Sequence, residues 1–149
     1  MRDAVNDALK AAMKAQDKRR VSTLRLMNAA IKDREIAARG TAKDSVSDAD
    51  LLDLFAKMIK QREESAAVYV QGNRPELAEA EREEIAIIRE FLPQQLSPEE
   101  TQLACAATIA ETGATSIKDM GRVMAALKER YAGQMDFAEA GKIVKDRLK

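Results

Sequence analysis

The sequence predicts an all-α protein, an N-terminal four-helix unit followed by a C-terminal three-helix unit. Three observations carry that reading. The 149 residues are 46% hydrophobic and 34% charged, with aromatics at only 3% and no Trp, so the chain is rich in the side chains that lose least on entering a helix. Apolar residues recur at three- and four-residue spacing through most of its length. Its three prolines, Pro75, Pro93 and Pro98, stand where such runs start or stop rather than inside them.

Val5, Leu9 and Met13 form the first helical stripe, and the charged residues Asp17, Lys18, Arg19 and Arg20 interrupt it before Val21, Leu24, Met27 and Ile31 resume the spacing. The second helix is expected to end at Gly40, with a polar loop through Ser45. Ser47 and Asp50 have the spacing of a capping box, and Leu51, Leu52, Phe55, Ile59, Ala66, Tyr69 and Val70 give the third helix its stripe. Gly72 is the expected stop. Pro75 then suits the first turn of a fourth helix, buried through Leu77, Ile85, Ile88 and Leu92. The other side of that helix is acidic, with Glu76, Glu79, Glu81, Glu83, Glu84 and Glu90, and reads as a solvated face.

Pro93 disfavours helical geometry at Leu92 and ends the run. Ser97-Pro98-Glu99-Glu100 places an N-cap, a first-turn proline and a capping-box carboxylate in succession, which starts a fifth helix reaching Gly113. Ser116 with Asp119 opens a helix holding Met120, Val123, Met124 and Leu127; Asp136 with Glu139 opens a last one holding Phe137, Ile143, Val144 and Leu148. The stretch FLPQQLSPEE, Phe91 to Glu100, is therefore the expected hinge, dividing the chain into domains at residues 1–94 and 95–149. Met13, Met27, Met58, Met120, Met124 and Met135 read as core fillers.

The sequence narrows the chemistry mostly by what it omits. It has no histidine, the side chain best placed for acid–base work near neutral pH and the commonest metal ligand. A GxxxxGK[ST] loop, a GxSxG elbow and a CxxC pair are also missing from the sequence. Cys105 lies one helical turn before Ile109 and reads as a small buried hydrophobe. No catalytic residue, metal or cofactor is assigned on this basis. The charged start of the chain and the lack of a long apolar run predict a soluble, cytoplasmic protein with no membrane partner.

Formal net charge is zero, but its distribution is uneven. Residues 1–34 hold nine bases against four acids, and residues 116–149 hold eight against five, so both ends are basic around the acidic fourth helix. Such a chain can present a phosphate-facing surface without being basic overall. Gly121 adds a local signal, since a helix-interior glycine costs roughly 1 kcal/mol relative to alanine and commonly marks a close backbone approach, by a packed helix or by a nucleic-acid backbone.

LRLMNAAIKDREI (Leu24 to Ile36), KQREESAAVYVQGNRPELAEAEREEIAIIREFLPQQLSPEE (Lys60 to Glu100) and GATSIKDMGRVMAALK (Gly113 to Lys128) together resemble the GatB/YqeY-like family, collinearly over nearly the whole chain. The resemblance implies two helical domains meeting near the proline break. Its C-terminal part is similar to the tail domain of the B subunit of tRNA-dependent amidotransferase, a domain that helps hold tRNA while phosphorylation and amidation take place in a catalytic body that nothing here matches. A carbon-nitrogen ligase activity would pass to this chain through the shared tail alone. The resulting expectation is a non-catalytic protein that binds tRNA or another structured RNA, with Lys118, Arg122, Lys128, Arg130 and Lys142 as phosphate-contacting cations around Gly121. A second expectation is an adaptor that docks on an aminoacyl-tRNA pathway protein through the acidic helix; a third is an accessory amidotransferase component.

Overall fold

A computed structural model describes residues 1–40 and 46–149. Among these residues there are seven α-helices and no strand: α1 Arg2–Lys14, α2 Lys18–Ala38, α3 Asp48–Gln71, α4 Pro75–Arg89, α5 Pro98–Thr112, α6 Met120–Arg130 and α7 Phe137–Leu148. The polar loop expected before Ser47 lies outside the described residues. By contact density the chain forms two compact units, Met1–Leu92 and Pro93–Lys149.

In the first unit α1 packs on α2, and α4 packs on both α3 and α2. The shared core contains Val5, Leu24, Met27, Ile31, Leu51, Phe55, Met58, Ile59, Ile85 and Ile88, and the Phe55 and Phe91 rings meet edge to face at 6.4 Å. Three expected core residues are exposed. Met13 is 51% exposed, Val70 53% and Leu77 42%. Each lies near the end of its helix, and at two of these ends the neighbouring helices cover the adjacent position instead, burying Ala12 and Ala78.

Two helix stops depend on residues other than the expected ones. After α1, Gln16 takes φ 56°, and the N–H groups of Gln16 and Asp17 donate to the Met13 and Ala12 carbonyls. After α3, Gly72 keeps φ −82°, and it is Asn73 that turns left-handed at φ 59°. The Asn73 and Arg74 N–H groups then donate to Val70 and Tyr69. Both are Schellman stops, which satisfy carbonyls that the last turn would leave without donors.

The second unit is a three-helix arrangement in which α5, α6 and α7 pack pairwise around Ala104, Cys105, Val123, Leu127, Ala140, Val144 and Leu148. The Ser97 hydroxyl accepts from the Glu100 N–H at 3.1 Å, and the Glu100 carboxylate accepts from the Ser97 N–H at 3.1 Å, completing the capping box. Gly113 ends α5 with φ 69°. The Leu96 N–H donates to the Gln134 carbonyl at 2.8 Å, and the Gln95 amide donates to the Gly133 carbonyl, so the residues before α5 are tied to the turn before α7. Burial pushes the Cys105 thiol above its ordinary range, with the Arg147 charge acting in the opposite sense.

The Ser116–Asp119 signal opens a 3-10 turn, Ile117–Asp119, and α6 begins only at Met120. The Asp119 carboxylate accepts from the Thr115 and Ser116 N–H groups at 3.0 and 3.4 Å. That pairing closes a tight turn before the α-helical hydrogen bonds can start.

Candidate nucleic-acid interface

Helix α6 buries Val123 and Leu127 and half-buries Met120 and Met124. Its helical repeat therefore sends positions 121, 122, 125, 128 and 129 to the opposite side, and all five are exposed. Lys118, just before the helix, extends the same surface. Arg130 lies around the helix towards α5, where its guanidinium meets the Glu111 carboxylate. Lys142 belongs to α7 and reaches Glu139 on its own helix at 3.5 Å.

The predicted cations thus differ in availability. Arg122 is 3.3 Å from Asp119, and Arg130 and Lys142 also face carboxylates. Lys118 and Lys128 have no ion-pair partner among the described residues. The Asp119 carboxyl is held below the usual aspartate range, first by the Thr115 N–H that donates to it and also by the Ser116 N–H and the Arg122 charge, against an opposing effect of burial. It therefore stays ionised beside Arg122 at neutral pH.

Apart from the neighbouring backbone of its own helix, no atom of the described residues lies within 4 Å of the place where a side chain would begin at Gly121. The packed-helix explanation of that glycine is thereby removed: its face is open. At Gly141 in α7 a Cβ would lie in ordinary van der Waals contact, 3.7 Å from the Met120 methyl and 3.9 Å from that of Met124. Sequence reasoning passed over Gly141, although its place inside the last helix carries the same signal as Gly121.

The acidic side of α4 is exposed at Glu76, Glu79 and Glu83, as is Glu90 just beyond it, and part of this charge is also paired with neighbouring helices. Glu83 meets Arg19 at 3.3 Å and Glu90 meets Arg20 at 2.5 Å, joining α4 to α2. Glu84 meets Arg62 at 2.9 Å, and Arg62 also donates to the Met58 carbonyl at 3.1 Å, joining α4 to α3. Arg89 returns the contact to Glu63 at 2.9 Å. No sequence spacing marks these partners, because Arg19, Arg20 and Arg62 are brought to the acidic residues from distant parts of the chain.

Among the described residues there is no group of three or more His, Cys, Asp and Glu side chains placed to hold a metal ion, and no helix is long and apolar enough to cross a membrane. The features that stand out are charged helix faces on two compact all-helical units. The chain belongs to the YqeY-like family: the family described as Yqey-like protein matches residues 2–148.

Curated relatives include "Altered inheritance of mitochondria protein 41, mitochondrial" of Lachancea thermotolerans, 41% identical over 86 residues that make up 58% of this chain and 44% of the relative. The protein of the same name in Saccharomyces cerevisiae is 36% identical over 86 residues, 58% of this chain and 45% of the relative. That of Vanderwaltozyma polyspora is 37% identical over 84 residues, 56% and 44% respectively. The match spans less than half the length of these relatives, whose names place them in mitochondria.

Proposed function

We propose that the protein binds tRNA, or another structured RNA, non-catalytically through the exposed side of α6. The observation that carries this reading is the open surface around Gly121, with Lys118 and Lys128 unpaired on the same side and Arg122 between them. A phosphate backbone can approach a helix at a residue without a side chain, and flanking cations supply the sequence-independent attraction. The resemblance of this part of the chain to an amidotransferase tail domain supports the same reading. Amidotransferase activity is not part of it.

The basic side is not uniform, since Glu129 is exposed in the row that holds Lys118 and Arg122. Arg122 would exchange its contact with Asp119 for a phosphate, whereas Lys118 and Lys128 would bind with no internal pair to break. These two lysines are accordingly the sharper test. Binding of unfractionated tRNA should weaken steeply with salt, and Lys118→Glu with Lys128→Glu should lower affinity and reduce the log–log salt slope by about one per lost phosphate contact. An unchanged slope in a variant of unchanged helix content would refute the assignment.

An adaptor function through α4 has less surface to draw on, because Glu83, Glu84 and Glu90 are already paired within the first unit. The cytoplasmic placement read from the sequence belongs to this proposal; recovery of the tagged protein in a membrane or organelle fraction would replace it.

A further inference from the structure

Of the nine bases of residues 1–34, three are paired with carboxylates and three others share one side of α2. Arg2, Arg19 and Arg20 face carboxylates of Glu35, Glu83 and Glu90. Lys18, Arg25 and Lys32 lie on the back of α2 with no ion-pair partner among the described residues. They are spaced by seven residues, which sets them about 10.5 Å apart along one side of the helix. Ser22 and Ala29 fall between them on the same side, and both are small and exposed. Leu26 and Ile36 flank this row at 45% and 58% exposure. At its N-terminal end Gln16, Lys18, Val21, Ser22, Arg25 and Leu26 line an open groove of about 650 Å³.

We propose that this back face of α2 is a docking surface for an acidic amphipathic helix of a partner protein. Charge decides the sign of the partner: of the two acids in α2, Glu35 is taken by Arg2, leaving Asp33 against three cations. Cations at heptad spacing are matched by carboxylates at heptad spacing on a helix lying alongside. Small residues between them let a second helix come close, and exposed Leu26 and Ile36 supply the apolar anchors that helix-in-groove recognition uses. On another side of α2 carboxylates are already drawn to this helix, Glu83 of α4 and Glu90 just beyond it meeting the adjacent Arg19 and Arg20.

The same features disfavour the other occupants. An RNA backbone would use the cations but gains nothing from Leu26 and Ile36, and no aromatic residue of α2 is present for base stacking. A second copy of the chain could offer α4, but two of its heptad carboxylates are already engaged by Arg19 and Arg20.

The test uses the full chain and an alanine-based helical peptide bearing Glu at every seventh residue and Leu three positions after each, with the Glu-to-Gln peptide as control. Fluorescence anisotropy should show binding of the acidic peptide well above the control. Arg25→Glu with Lys32→Glu should weaken it at least about tenfold, roughly 1.4 kcal/mol. Leu26→Ala, which leaves the charge intact, should weaken it several-fold while leaving tRNA binding unchanged. Equal binding of both peptides, or no effect of Leu26→Ala, would overturn the proposal. So would a loss of tRNA binding in Arg25→Glu/Lys32→Glu with peptide binding intact, which would make the face an RNA surface. A dimer in sedimentation that the same double variant dissolves would instead make it a self-interface.

Discussion

Gly121 and Thr23 show how one side chain, or its absence, can separate stability from function. With open space beyond its backbone, Gly121 gains nothing structural from being glycine, so Gly121→Ala should raise stability by about 0.5–1 kcal/mol in chemical denaturation. If RNA backbone lies there, the same variant should bind tRNA more weakly; a more stable protein with unaltered affinity would leave the glycine without a role in binding. Thr23 is fully buried and its hydroxyl has no hydrogen-bond partner among the described residues. Thr108, a buried threonine of α5, behaves otherwise, its hydroxyl donating to the Ala104 carbonyl at 2.8 Å. Replacing an unsatisfied hydroxyl with a methyl of the same shape removes a desolvation cost. Thr23→Val should therefore be neutral or stabilising by up to about 1 kcal/mol, whereas Thr108→Val loses a made hydrogen bond, and the difference between the two denaturation midpoints measures the effect.

At the scale of elements, two helix stops place a residue other than glycine in the left-handed region. That residue is Gln16 after α1 and Asn73 after α3, whereas Gly40 follows α2 at φ 79° and Gly113 follows α5 at φ 69°. A side chain in that region costs roughly 1 kcal/mol or more. Gln16→Gly should consequently stabilise the first unit by about 1 kcal/mol, seen as a higher melting temperature with unchanged helix content. The turn before α6 is held electrostatically instead. Because the Asp119 pKa is depressed in the folded protein, its contribution to stability is present above the ordinary aspartate value of about 3.9 and is lost as pH falls through the folded value. Asp119→Asn removes that titration, so its melting temperature should fall less steeply than the parent's on acidification below about pH 4. Parallel acid limbs for the two proteins would show that this carboxylate contributes nothing to folding.

For the whole molecule, the question is whether Met1–Leu92 and Pro93–Lys149 behave as separable bodies. Pro93, Gln94 and Gln95 are exposed, and only Gln95 and Leu96 are tied to the second unit. Limited proteolysis should cut around Gln94 and Gln95 before it cuts inside either unit. Protection of this segment with earlier cuts elsewhere would show a single cooperative body. A fragment of residues 97–149 should be helical but only marginally stable, because a unit of that size buries a smaller share of its surface than the full chain. It would also lack the Gln95 and Leu96 hydrogen bonds to the turn before α7, so a fragment starting at Pro93 should melt higher.

The sequence by itself determined the helical class and where most of the helices begin, because caps, first-turn prolines and apolar periodicity act over a few residues. Ser47, Ser97 and Asp136 cap their helices where the local pattern puts them. Tertiary structure decided which charges remain available. Glu83, Glu84 and Glu90 read as a solvated acidic face until α2 and α3 bring Arg19, Arg62 and Arg20 against them, and Arg130 reads as a phosphate ligand until α5 brings Glu111 alongside. It also decided that Gly121 faces open space while Gly141 meets Met120 and Met124. Ion pairing and close packing join residues distant in the chain, and local sequence spacing carries no record of which helix becomes the neighbour.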